Sequence, residues 1–286
     1  MDFITWATSP WGQSVPIHIA WYLIWVMAIA GLLFMIVHAL YVGIFAPKKT
    51  FAKNDSPAVV AAVPERIPRH TFVARAFHWV MALSMFALLI TAFLPKVGVK
   101  FDWVTYHWIA GLVLTASVVF HIFHASFVLD FWSIWPDKID LRDARRRLLR
   151  SIGKEAPPPD RFAKYPLENK FYHFVILLSG LGAIITGVFM MKRVNTLGIF
   201  TRNPYIFGDM TWGMMYVLHG LAGVGLIALI MVHVYFGIRP EKLPITKSMI
   251  FGYMEKDFYL EEHDPQRWAV EKSSPPKEGY APSDAD

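Results

Sequence analysis

Two histidines, His219 and His233, lie fourteen residues apart in one apolar stretch, and His107 and His121 repeat that spacing in another. On a helix, fourteen residues make almost four turns. Each pair therefore faces nearly one direction, about 40° apart, with its members separated by roughly 21 Å along the axis. His38, His78, His124 and His173 also fall in apolar stretches, and His18 lies at the edge of one. A metal-binding or ionisable side chain at bilayer depth is a functional candidate by default. No H-E-x-x-H occurs and carboxylates are nearly absent from these stretches, which argues against a zinc protease, a hard-cation site or a carboxylate proton relay. Neutral imidazoles facing one another in lipid-depth helices suit haem iron ligated from both sides. Glycines support this: Gly111, Gly223 and Gly237 each follow a candidate ligand by four residues, where a missing side chain leaves room for a flat macrocycle.

The elements that must position these residues are membrane spans. The chain of 286 residues is 55% hydrophobic and 17% charged, well under the charge of about 25% usual in soluble domains. Five spans are expected, over about 17–45, 72–94, 103–129, 171–191 and 212–238. Tryptophan and tyrosine cluster at their ends as interfacial anchors: Trp21, Tyr22, Trp79, Trp103, Tyr106, Trp108, Trp132, Trp135 and Trp212. With no cysteine, the chain cannot hold Cys-ligated iron–sulfur clusters, c-type haem, redox thiols or disulfides. The net charge of +6 would suggest a nucleic-acid partner only until the charges are placed. No basic region or cleavage site marks a secretory signal, so the first helix is expected to be retained.

Lysine and arginine alternate along the chain. Segments 46–71, 130–170 and 239–286 hold 22 of them, and segments 1–16, 95–102 and 192–211 hold 5. The positive-inside rule then puts the N-terminus on the periplasmic side and the C-terminus in the cytoplasm. His107 and His219 open their spans near the outer surface, so an outer haem between them is the natural pairing. The inner haem has His233 on one side and either His78 or His121 on the other, and spacing symmetry favours His121. The segment 136–170, with Arg145-Arg146-Arg147 and Pro157-Pro158-Pro159, reads as a short amphipathic surface helix followed by an extended piece, and the polar chain end after about 264 as disordered.

The second span begins Arg75-Ala76-Phe77-His78-Trp79, and the fifth carries the paired histidines. RFAKYPLENKFYHF leads into the fourth, and SMIFGYMEKDFYLEEHDPQRW follows the fifth. Over residues 70–268 this ordered set resembles the gamma subunit of respiratory formate dehydrogenase, a di-haem cytochrome b. The wider family includes the cytochrome b subunits of nickel–iron hydrogenases. The resemblance implies an all-α integral membrane bundle: a four-helix di-haem core over 72–240, an extra N-terminal helix and linker over 1–71, and a cytoplasmic tail over 241–286. It implies His78 with His233 for the inner haem and His107 with His219 for the outer, leaving His121 without a ligand counterpart. It also implies a quinone site where the fourth span starts. The family's Lys-Tyr-Asn-Ala-Gly-Gln-Lys is here Lys164 through Lys170, with Asn169 at the glutamine position and Pro166 in place of the asparagine. His173, one turn beyond Asn169, is a candidate to compensate, and Arg75, one turn from His78, is a candidate for a haem propionate.

The expected function is transmembrane electron transfer in a bacterial cytoplasmic membrane. An iron–sulfur partner, with a molybdenum or tungsten catalytic subunit behind it, would feed two b-type haems that reduce menaquinone or ubiquinone. The same module serving a nickel–iron hydrogenase or another molybdopterin oxidoreductase is the alternative. A histidine-rich transporter without haem and a purely structural anchor are the remote ones.

Overall fold

In the computed structural model, residues 2–45, 51 and 55–270 are described. A hairpin of β1 (Ile4–Thr8) and β2 (Ser14–Ile19) precedes α1 (Tyr22–Ile44). Then come α2 (Pro57–Ala62), β3 (Arg66–Pro68), α3 (Phe72–Phe93), α4 (Trp103–Phe127), α5 (Lys138–Ser151), α6 (Leu167–Met190) and α7 (Asp209–Ile238). The chain continues through α8 (Leu243–Phe251), β4 (Tyr253–Glu255) and α9 (Lys256–Glu262). Five helices (α1, α3, α4, α6 and α7) are long and apolar enough to cross a membrane. Their outward faces carry large exposed apolar side chains, such as Leu83, Phe123 and Leu178, which only a lipid environment accommodates at this density.

Helix α3 packs against α4, and α6 against α7, while α1 lies along the outer side of α7. The core is thus two helix pairs facing each other. Sequence chemistry sets the helix boundaries. Thr71 caps α3 by accepting from the Ala74 N–H at 3.2 Å, and Asp137 and Asp140 form a reciprocal capping box on α5. Pro166 opens α6 with its fixed φ of −61°.

The first span is shorter than expected. Residues 14–19 pair with β1 as a strand, with Val15, Pro16 and Ile19 buried and Ile17 exposed at a shift in register, and helix begins only at Tyr22. The hairpin lies on α7, where a Cβ added to Gly213 would overlap the carbonyl oxygen of Pro16. The fourth span starts earlier than expected, at Leu167. The amphipathic surface helix is α5, and the chain after it runs extended. Trp108 and Trp212 are packed inside the protein, and the Trp212 indole donates to Pro204 O at 2.8 Å. The segment after α7 is folded through α9. Strand β4 pairs with β3, and Ile67, Met254 and Tyr259 form a small separate core. Gly252 turns the chain there at φ +93°, with no room for a side chain beneath His70 O. The chain end expected to be disordered lies, from residue 271 on, outside the described residues.

Candidate functional site

The histidines meet across the space between the two helix pairs. His107 on α4 faces His219 on α7 with ring centroids 6.1 Å apart, and His78 on α3 faces His233 on α7 at 6.4 Å. His121 on α4 faces His173 on α6 at 6.1 Å. Two metal–imidazole bonds of about 2.0–2.1 Å each, plus the half-widths of two rings, span about 6.3 Å. All three pairs stand at that separation, so ring spacing by itself does not rank them.

The hydrogen bonds at the far ring nitrogens separate the first pair from the others. Thr91 Oγ1 donates its own proton to Ala87 O at 2.7 Å, so it accepts from His107 Nδ1–H at 2.8 Å. His219 Nδ1 lies 3.0 Å from Ala183 O, which can only accept, and 3.0 Å from Thr186 Oγ1, which donates to Gly182 O. Both rings therefore carry the proton on Nδ1 and present a bare Nε2 lone pair. That is the arrangement of a metal-bound imidazole oriented by its outer partner. Gly187 gives the His219 ring its place, since a Cβ there would stand 3.2 Å from Cε1. One turn beyond each histidine the surface is uncrowded: a Cβ on Gly223 would meet nothing within 4 Å, and one on Gly111 only Leu88 at 3.9 Å. These residues fit a flat group with an iron at its centre. Gly237 serves helix packing instead, with Thr246 of α8 donating to its carbonyl at 2.7 Å.

In the second pair, Tyr172 stacks on His233 at 5.1 Å and 14°, with its hydroxyl donating to Leu229 O at 3.1 Å. His78 Nδ1 is buried without a hydrogen-bond partner, as are the Nδ1 atoms of His121, His124 and His173. Phe77 packs on His121 at 4.6 Å, and Phe120 stacks on His124. No polar partner for these Nδ1 atoms is found among the described residues. His38 has one: its Nδ1 lies 2.9 Å from Arg239 Nη1 and 3.0 Å from Tyr235 OH, which ties α1 to α7. His18 donates to the adjacent Ile19 O and stacks on Trp21.

The residues expected around a quinone have different surroundings. Asn169 is exposed on the first turn of α6, and His173 looks toward His121. Lys164 is half-buried beside Arg69, whose Nη2 donates to its carbonyl at 3.1 Å. Burial, and then the Arg69 charge, hold its amine below the usual lysine range. Arg75 donates from Nη1 to Ile250 O at 2.5 Å, at the end of α8. Lys170 is buried in an ion pair with Asp140 at 2.6 Å, joined by Arg267, which anchors the start of α6 to α5.

Thr91, Thr186, Gly187 and Tyr172 were not singled out by sequence. Their partners lie 16 to 61 positions away, too far for any local pattern to reveal them.

Comparison with known proteins agrees with the helical membrane fold. The chain is 24% identical over 181 residues to the cytochrome b556 subunit of formate dehydrogenase from Haemophilus influenzae, which covers 59% of this chain and 70% of that protein. Residues 69–252 match the prokaryotic cytochrome b561 family, a stretch that holds all four helices carrying the facing histidines. A multi-pass helical membrane bundle with opposed histidines, matched over more than half its length, belongs to the prokaryotic cytochrome b561 family.

Proposed function

We propose that this membrane cytochrome passes electrons between the two faces of the bilayer through two b-type haems, as the membrane subunit of a formate dehydrogenase-like complex. Membership in its family makes it an electron-transfer subunit that carries b-type haem. The observation that carries the two-haem reading is that one helix, α7, presents His219 and His233 fourteen residues apart, each facing a histidine of another helix. His107 and His219 hold one haem, His78 and His233 the other. His121 faces His173 and not His233, which supports His78 as the inner ligand. The haems supply one-electron chemistry. The protein supplies axial nitrogens, a low-dielectric sheath and a vertical offset of about 21 Å.

The charge alternation orients the path. The basic end faces the cytoplasm and the N-terminal hairpin the periplasm. An iron–sulfur subunit delivers electrons near the His107/His219 end, with a molybdenum or tungsten subunit behind it. A quinone accepts them near the other end, where α6 begins and Asn169 and His173 lie one turn apart. Haem content and reduced-minus-oxidised spectra of the purified protein test this. Two haems per chain are expected, falling to one in His107→Ala or His78→Ala and staying at two in His121→Ala. One haem or none in the unaltered protein refutes the scheme. Loss of a haem in His121→Ala with both retained in His78→Ala reverses the inner ligand.

A further inference from the structure

The layer just before α3 holds positive charge that no carboxylate among the described residues pairs with directly. Arg69 is 5% exposed. Its Nη2 donates to Lys164 O, its Nη1 lies 3.3 Å from His263 Nε2 and 3.9 Å from Met254 Sδ, and its Nε is buried without a partner. None of these contacts is an anion. The rings of Tyr165 and Trp268 flank its guanidinium at 5.6 and 5.5 Å. Arg75 has one nitrogen on Ile250 O, while its Nε is likewise buried and unpartnered. The Lys164 amine stands 5.6 Å from the Tyr165 ring. Among the described residues, none of these three makes an ion pair. The carboxylate that bears on Lys164, Asp130, is itself exposed. The N-terminus of α3, at Phe72, adds its positive dipole to the same place.

Buried cations without counter-charge are costly, and natural structures pair them. The strain shows in the neighbouring groups. Burial pulls Arg69 down to about 10, and His70 falls to about 3, through burial first and then the charges of Arg69, Lys164, His78 and Arg75. Arg75 precedes His78 by one turn on α3, and Arg69, bonded to the Lys164 carbonyl, lies just before that helix, which sets the cationic group beside the helix start that carries the inner ligand His78.

We propose that Arg69, Arg75 and Lys164 form an oxyanion cradle that takes the propionate carboxylates of the haem held by His78 and His233. This rests on the inner-haem reading above. Charge-assisted bonds from these donors fix the haem's rotation about the axial bonds. They also favour the reduced form of the iron, because nearby positive charge stabilises the added electron. Lys164 then belongs to the cradle and not to a quinone. An anionic phospholipid headgroup offers the same oxyanion chemistry at a cytoplasmic surface, so the test must distinguish the two.

Potentiometric titration of the purified full-length protein tests the cradle in Lys164→Gln and Arg69→Gln, with Arg69→Lys as the charge-retaining control. One haem wave is expected to move to lower potential by at least tenfold in its reduction equilibrium, about 59 mV for one electron. The other wave stays, and Arg69→Lys restores most of the shift. If Arg69→Gln does not fold, Lys164→Gln alone decides. Two retained haems with both waves unmoved overturn the proposal. Loss of tightly bound phospholipid phosphorus with both waves unmoved assigns the cradle to a headgroup and overturns it equally. Absence of haem from the unaltered protein overturns the haem reading itself, a result distinct from unmoved waves.

Discussion

Thr91→Val removes one oxygen and nearly preserves side-chain volume, yet it is expected to loosen one haem. Thr91 Oγ1 is the close hydrogen-bond partner of His107 Nδ1, at 2.8 Å, with the Leu88 carbonyl as a weaker second acceptor. Without it the buried N–H is left with the Leu88 carbonyl alone, and an unsatisfied donor, at up to about 1–3 kcal/mol, is the upper bound of the cost. Loss of such an orienting partner typically weakens metal affinity roughly 10–100-fold. Thr186→Val is the internal control. His219 Nδ1 keeps Ala183 O at 3.0 Å when Thr186 Oγ1 is removed, so its proton stays satisfied. The expected order is a haem dissociation rate raised about tenfold or more in Thr91→Val and barely changed in Thr186→Val. Transfer of haem from the detergent-solubilised protein to an excess of apomyoglobin measures both rates. Equal loosening in the two variants, or haem held as firmly in Thr91→Val as in the unaltered chain, would refute the assignment of the Nδ1 protons and the lone pairs that follow from it.

Acid is expected to detach the segment after α7. Burial, and Arg69 beside it, hold the His263 ring neutral down to about 3 in the folded protein, whereas the unfolded ring takes a proton near ~6.5. The stability this ring contributes is whole above pH 6.5 and falls by up to about 1.4 kcal/mol per pH unit between there and pH 3. Proteolytic cleavage of residues 253–270 should rise as pH drops through that window, and His263→Gln should flatten the dependence; the same slope in the variant would remove His263 as its cause. At the opposite end, Gly213→Ala drives a methyl into the Pro16 carbonyl. The β1–β2 hairpin should lift from α7, read as faster amide exchange at Val15 and Ile19, with haem content unchanged.

The spans were legible because a bilayer imposes a length of about 20 apolar residues on any helix that crosses it. Each of the five long helices overlaps its expected span. The errors fall at their ends, where another constraint takes over. Residues 14–19 are apolar enough to extend the first span, but they pair with β1 in a hairpin on α7. The segment 243–262 is polar enough to read as a tail, but Ile67, Met254 and Tyr259 give it a core drawn from two distant parts of the chain.

The histidines divide in the same way. Residue types and a fourteen-residue spacing on one helix determine, from sequence alone, that two centres can stand at two depths, because helix geometry is local. Which histidine faces which is decided by how α3, α4, α6 and α7 pack. Spacing favoured His121 over His78 as the partner for His233, and packing turned it toward His173. The Nδ1 partners Thr91, Thr186 and Ala183, and the cationic group of Arg69, Arg75 and Lys164, exist only once separate segments meet. Periodicity records what one helix does along its own axis, and the ring nitrogens answer to what stands across from it.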